Sequence, residues 1–439
     1  MYTDIIQHSE NLRDKLIDFR RDLHKHAELG WLEIRTSSII AEHLKKLGYE
    51  ILIGKDVCDE HSRMGLPDHE IMEESYNRAI EQGVNPEFAK SARDGFTGVI
   101  GILDCGEGPT IALRFDIDAL PIRELKSKDH FPFKEGFSSL NNGTMHACGH
   151  DAHTSIGLGV AEVLMANREQ LRGKVKLIFQ PAEEGVRGAK SIVEKGHLDD
   201  VDYVLAAHMM PKIEGSKPDI VTGTGKTMST YKLNVEIFGK NSHAAAMPEK
   251  GNNAILAAAN IILNLEGISR HSSGSTRINV GVINGGSGRN IIADYAYLEV
   301  EVRGSTVEAN EYVYDYAKRI IKNSAEMHGC KYDISLAGSA ITSENTHELT
   351  KIVEDVCKDK LKLKVEMDHS ILSGSEDFSY MSERVISNGG QACYFYVPTD
   401  IAGPFHNEKF DIREVSMVNG VKAFCGVVYS LIGNSLEGE

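Results

Sequence analysis

Cys148 and His150 stand one residue apart in the stretch His146-Ala-Cys-Gly-His-Asp-Ala-His153, which gathers one thiol and three imidazoles. From an extended backbone both side chains can reach one ion, and thiolate with imidazole suits zinc and its first-row neighbours. For this segment alone, a buried cysteine beside solvated histidines is the plain alternative. Other residues add to the metal reading. Glu183 and Glu184 directly follow the apolar run 174–179 and its Gln-Pro-Ala turn. Adjacent side chains cannot both face one atom, so one can bind a cation while the other holds an attacking water. A solvated acidic turn is the alternative there. His208 closes the apolar run 203–207, and α/β proteins place ligands at strand ends. Asp116 and Asp118 share a face at the end of run 109–115, either orienting a ligand histidine or capping a turn.

These residues need elements to carry them. Residues 4–47 read as two helices around the polar break 20–31, with Gly48 as a C-cap before a strand at 49–53. Residues 54–95 are charged and helix-prone over 68–82. They read as an insertion, either a surface helical hairpin or a substrate contact. Strands follow at 96–103 and 109–115. The central stretch lies on a loop leading into a helix over 154–171, and a helix at 188–195 separates the next two strands. Residues 216–225 carry Gly, Pro, Ser and Thr and read as a linker. Beyond it the pattern becomes strand 230–238, helix 252–265, strands 277–283 and 293–302, helix 307–327 and strand 332–336. This βαββαβ order is that of a ferredoxin-like sandwich with edges open to pairing. In the last part, Ser373-Gly-Ser-Glu-Asp-Phe-Ser379 reads as a loop entering a helix. His406 lies in a loop before the final helix, 415–431.

The chain has 439 residues, 41% hydrophobic and 26% charged, the composition of a soluble globular protein of two or three domains. A formal net charge of −16 argues against a nucleic-acid surface. Seven cysteines, an odd number without a paired framework, fit a reducing cytoplasm, as does the lack of a leader pattern. No apolar run reaches the ~18 residues of a membrane span.

Arg21-Asp-Leu-His24 with Glu28-Leu-Gly30, Asp116-Ile-Asp118-Ala-Leu-Pro121, Cys148-Gly-His150-Asp-Ala-His153, Glu183-Glu184, His208, Ser242-His243-Ala244 and Phe405-His406-Asn407 occur in this order nearly end to end. Together they resemble the M20 family of metallo-amidohydrolases, in the branch with a cysteine ligand. The resemblance implies a doubly wound α/β catalytic domain over 1–221 and 341–439, interrupted by a ferredoxin-like α+β lid and dimerisation domain over 222–340. It implies two divalent ions, manganese or zinc with cobalt permitted. Cys148 would be the bridging thiolate, with His150, Glu184, His208 and His406 as the other ligands and Asp118 as an outer carboxylate. Glu183 matches the general base and proton shuttle. His243 matches a lid histidine that reaches the site of the other protomer and steadies the oxyanion. Arg289, Asn290 and Arg303 stand where the family grips the substrate carboxylate. Ala293 departs from the pattern, since relatives often carry proline there.

The implied reaction is hydrolysis of the amide of a small N-acyl amino acid. Ser62-Arg-Met-Gly-Leu-Pro67, Asp94-Gly-Phe-Thr-Gly98 and Pro181-Ala-Glu-Glu-Gly-Val-Arg-Gly-Ala189 resemble the branch that splits 4-aminobenzoyl-glutamate, a folate breakdown product, into 4-aminobenzoate and glutamate. Deacylation of hippurate, N-acetyl or indole-acetyl amino acids is the nearest alternative. A non-catalytic metal-binding partner subunit is the alternative of another class. The resemblance also implies a homodimer through the lid or a hetero-oligomer with a homologous B subunit, and neither nucleic acid nor membrane as partner.

Overall fold

The computed structural model describes residues 2–213, 215–223, 227–367 and 374–434. Ser373 of the hydroxyl-and-carboxyl segment, and Thr224 and Gly225 of the segment read as a linker, lie outside the described residues. The chain first lays down β1 (Glu50–Ile53), β2 (Val99–Asp104), β3 (Thr110–Asp116), β4 (Lys174–Gln180), β5 (Tyr203–Pro211) and β6 (Ile220–Thr222). It then forms β7 (Ser229–Phe238), β8 (Thr276–Gly285), β9 (Tyr295–Gly304) and β10 (Lys331–Ala340), and returns with β11 (Val365–Met367) and β12 (Gln391–Thr399).

The first six strands and the last two make one sheet in the order β1-β2-β4-β3-β5-β12-β6-β11. At its centre β4, β3, β5 and β12 run parallel. β3 is buried at every residue, as expected of a strand covered on both faces. One face carries helices Arg13–Lys25, Ile34–Leu47, His150–Ala166 and Met417–Ile432; the other carries Ala189–Glu194 and Phe378–Ser387. Gly157 lets helix His150–Ala166 lie close on the sheet, since a Cβ there would stand 2.7 Å from Phe179 and 2.8 Å from Phe115. This contact fixes where the helix's first turn, with His150 and His153, meets the strand ends.

β7 to β10 form a second, antiparallel sheet in the order β10-β7-β9-β8. Helices Ala254–Leu265 and Val307–Met327 cover one of its faces, packing on Leu233, Val235, Leu298 and Val300. The expected ferredoxin-like order is thus the observed one, and β8 is left as an edge strand.

Four local expectations need correction. Residues 20–25 continue a helix instead of breaking it, because Arg20 and His24 are fully buried and paired with acids. Arg20 donates to Asp151 at 3.0 Å and Asp411 at 2.5 Å, and His24 bridges Asp151 and Glu124 at 2.8 and 3.0 Å. Burial opposes protonation of His24, but these two carboxylates outweigh it and raise its pKa to about 9. Ile220–Thr222, within the expected linker, is a buried strand pairing with β11, where the β-branched triplet Ile-Val-Thr outweighs its Gly- and Pro-rich surroundings. The central helix starts at His150, four residues earlier than its apolar pattern, because its first turn is polar yet buried. Finally, the stretch Glu414–Ile432 is long and apolar enough to cross a membrane. In this fold most of it is buried, and it packs on helix His150–Ala166 as a core element.

Residues 54–95 add helices His69–Glu81 and Pro86–Ser91, which close a small core of Ile34, Ala79, Ala89 and Ala92. Gly48 caps helix Ile34–Leu47 in the left-handed conformation, as its position suggests.

Candidate active site

The parallel strands deliver their C-terminal ends to one place, where doubly wound sheets hold ligands. β3 ends at Asp116 and leads to Asp118, β4 leads to Glu183 and Glu184, and β5 carries His208. His208 lies inside β5 and does not close it, because β12 pairs with β5 as far as Pro211. His406 arrives on a loop whose backbone N–H donates to the Ala147 carbonyl at 2.8 Å.

The ring N–H at His150 Nδ1 faces the Asp118 carbonyl at 3.0 Å and Asp118 Oδ1 at 3.2 Å. This leaves Nε2 as the free lone pair. It is buried without a hydrogen-bond partner, 3.9 Å from Glu183 Oε2 and 4.0 Å from Glu184 Oε1. Glu184 Oε1 is likewise buried and unpartnered, 3.6 Å from His406 Nε2. Cys148 Sγ lies 3.5 Å from His208 Nε2, and His208 Nδ1 donates to the Met209 carbonyl at 2.6 Å. Donor atoms of Cys148, His150 and His208 fall within 4.8 Å of one another, as do those of Cys148, Glu184 and His406. Two overlapping ligand groups that share a sulfur fit a pair of divalent cations bridged by a thiolate. Burial, then the Glu184 charge, pushes the Cys148 thiol well up, and burial raises Glu184 to about 7. A cation in the gap would reverse both trends.

The surrounding backbone is held in uncommon conformations. Ala182, Val186 and His406 have φ of 50°, 59° and 59°. Such residues persist where neighbours over-determine them, and they cluster at functional sites. Here Glu33 accepts from the Ala182 N–H at 2.8 Å, and the Val186 carbonyl accepts from the Ser339 N–H at 2.9 Å.

Asp118 joins the two sides of the gap. Besides His150, it accepts from the Glu184 N–H through Oδ2 at 2.8 Å. Asp116 does not take part in the same way. It holds His153 Nδ1, whose Nε2 accepts from the Met209 N–H at 2.9 Å, so both His153 nitrogens are engaged in the scaffold. Asp118→Ala should therefore weaken metal binding about 10- to 100-fold, measured by competition with a chromogenic chelator. Unchanged affinity would mean that Asp118 does not orient the ligands.

Glu183 is buried beside this cluster. Its burial, and then the charges of Glu376, Glu184 and Asp377, hold its carboxyl well above the usual range. Arg114 offsets part of that charge, donating to Asp116 at 2.7 Å, Glu376 at 2.9 Å and Asp377 at 3.1 Å. Asp377 in turn accepts from the Gly188 and Ala189 N–H groups at 3.0 and 2.9 Å, fixing the segment after the paired glutamates. The Glu-Asp pair in 373–379 was the visible sign of this support; Arg114, inside an apolar strand, gave none.

The lid residues stand apart from the cluster. His243 is exposed, its Nδ1 accepting from the Ala245 and Ala246 N–H groups and its backbone paired with Ile291. Arg289 and Asn290 are exposed in the turn after β8, and Arg303 on β9 pairs with Glu301 at 2.9 Å. Among the described residues, no hydrogen bond or ion pair joins His243, Arg289 or Asn290 to the five clustered donors. Ala293 is buried, and its carbonyl accepts from the Ala254 N–H at 2.9 Å.

Residues 112–430 match peptidase family M20/M25/M40. The chain is 42% identical over 410 residues to the A-type subunit of the p-aminobenzoyl-glutamate hydrolase of Escherichia coli K12, covering 93% of this chain and 94% of that one. It is 41% identical over 418 residues to an indole-3-acetyl-aspartic acid hydrolase of Enterobacter agglomerans, covering 95% of each. Among solved structures, an aminobenzoyl-glutamate utilization protein from Klebsiella pneumoniae superposes with a TM-score of 0.83 at 36% identity over 97% of both chains. The YXEP protein of Bacillus subtilis, a dinuclear metal binding peptidase of the M20 family, gives 0.65 at 26% identity over 96% of this chain and 99% of that one.

Proposed function

We propose, since the chain belongs to peptidase family M20/M25/M40, that it is a metal-dependent amidohydrolase acting on N-acyl amino acids, with 4-aminobenzoyl-glutamate as substrate. Convergence of Cys148, His150, Glu184, His208 and His406 beside a buried Glu183 carries this assignment. The two similar hydrolases share a dicarboxylic amino acid half in their names and differ in the acyl half. That supports an acidic leaving group here.

When bound, two divalent ions, manganese or zinc with cobalt permitted, supply Lewis acidity and lower the pKa of a water from 15.7 toward ~7. Cys148, which belongs to both donor groups, would hold them together with His150, Glu184, His208 and His406. Glu183 takes the water's proton at its carboxylate and returns it to the leaving nitrogen. A raised carboxyl pKa suits that return. His243, from the lid of a second copy, donates to the developing oxyanion, a kind of contact typically worth about 2.7–4 kcal/mol. Arg289, Asn290 and Arg303 grip a substrate carboxylate. Residues 222–340 act as the lid and the dimer contact. A hetero-oligomer in which a homologous B subunit takes the second copy's place is the alternative assembly. The enzyme works in the cytoplasm.

The test is direct. Protein stripped by chelator and reloaded separately with Mn²⁺, Zn²⁺ or Co²⁺ should release 4-aminobenzoate from 4-aminobenzoyl-glutamate faster than it releases benzoate from hippurate. Inertness toward acyl-glutamate, acyl-aspartate and hippurate with every metal would overturn the assignment.

A further inference from the structure

Against Glu184 and His406 lies a cavity of about 540 Å³, within the range of small-ligand sites. Leu32, Pro67, Ile71 and Leu120 give it apolar walls, Pro67 and Ile71 coming from the 54–95 insertion. Two cations, Arg187 and Lys232, also line it. Among the described residues neither has a carboxylate within ion-pair distance, although the Lys232 charge reaches the Glu184 carboxylate across the cavity. Arg187 donates to two carbonyls, Glu184 O and Gly65 O, both at 2.9 Å. Lys232 stands on β7 opposite Glu301, but Glu301 is taken by Arg303. Its neighbour Leu233 packs into the lid core, so the alternation of the strand turns Lys232 to the other face, toward the catalytic domain.

The insertion holds this arrangement in place. The Trp31 indole N–H donates to the Met64 carbonyl at 2.7 Å. Gly65 has φ +58°, and a Cβ there would stand 2.6 Å from the Ala337 carbonyl oxygen and 2.9 Å from Arg187 Cδ. The Ser62–Pro67 turn therefore wedges between lid and catalytic domain and sets the guanidinium. Two cations without an ion-pair partner, on the wall of a half-enclosed cavity whose other lining is mostly apolar, offer a place for an anionic group.

We propose that Lys232 and Arg187, positioned by the 62–67 turn, bind the side-chain carboxylate of a dicarboxylic amino acid and make the enzyme select acyl-glutamate or acyl-aspartate over neutral analogues. This rests on the amidohydrolase assignment. It gives the insertion a specificity role and separates this carboxylate from the one gripped by Arg289, Asn290 and Arg303. A charge-assisted contact of this kind corresponds to about a 10- to 100-fold preference.

The experiment measures kcat/KM for 4-aminobenzoyl-glutamate against its neutral isostere 4-aminobenzoyl-glutamine, and reads their ratio. Lys232→Met should lower the ratio at least about tenfold, and Lys232→Arg should restore most of it. Gly65→Ala should lower it through Arg187. Hydrolysis of both substrates with an unmoved ratio in Lys232→Met would sink the subsite alone. Wild-type protein inert on both would sink the amidohydrolase assignment and the subsite with it.

Discussion

Glu183→Gln should lower kcat on 4-aminobenzoyl-glutamate by about 10²- to 10⁴-fold while the protein keeps its metal and its fold. The substitution preserves shape and removes the proton acceptor. Glu183 Oε2 faces the gap between the ligand groups, and its distance of 3.9 Å to His150 Nε2 leaves room between them for a bound group. Glu184, the neighbouring carboxylate, faces His406 at 3.6 Å and so serves the other side of the same gap. The two residues therefore predict opposite phenotypes. Glu184→Gln should lose metal first and activity as a consequence, whereas Glu183→Gln should lose activity with metal retained. Metal analysis of both purified variants, alongside turnover, separates them. Near-wild-type turnover in Glu183→Gln would dismiss it as the base, and a metal-free Glu183→Gln would make it a ligand.

What the sequence made legible follows a physical division. Cys148, His150, Glu184, His208 and His406 stand near the ends of apolar runs or in loops, and parallel strands bring such ends together. Type and position alone singled out Cys148, His150, His208 and the Glu183–Glu184 pair, whereas the role of His406 and the choice of Glu184 over Glu183 as ligand came from the M20 resemblance. The ferredoxin-like lid was readable for a similar reason: its strands alternate and its helices keep a steady period, so local pattern and tertiary burial agree. The misread places are those where the two disagree. Arg20 and His24 are polar residues at buried helix positions, paired with acids more than 90 positions away, and no local periodicity reveals such partners. Ile220–Thr222 is too short to outweigh the glycine and proline around it except through pairing with β11. Nothing in the sequence marks Lys232 within its alternating strand. Only the packing of the lid across the catalytic domain turns its face of the strand into a cavity wall.

Arg114 carries the same division into stability. It is 1% exposed, and its guanidinium serves Asp116, Glu376, Asp377 and Gln180. Arg114→Met keeps much of the volume and leaves these acids unneutralised. Breaking a buried pair in this way costs about 3–5 kcal/mol, because the remaining charges have lost both water and partner. The pH dependence gives the effect a signature. Although burial works against ionisation of Asp116, the charges of Arg114, His150 and His153 hold its pKa well below the usual carboxylate range. A depressed folded-state pKa contributes stability that is present above the unfolded value and lost as pH falls through the folded one. Removing Arg114 removes part of that contribution, which is lost only below the ordinary carboxylate range, so any narrowing of the deficit between pH 7.5 and pH 5 comes from Asp377. Asp377, which burial raises to about 7 against the pull of Arg114, should protonate at higher pH in the variant. Chemical unfolding of wild type and Arg114→Met at pH 7.5 and pH 5 measures the gap. Glu376→Gln in the Arg114→Met background should recover part of it, since one unpaired charge has gone. A deficit that is small, or equal at both pH values, would mean that the acids find other partners. The support of the Glu183–Gly185 turn through Asp377 would then have to come from Gln180 and the backbone alone.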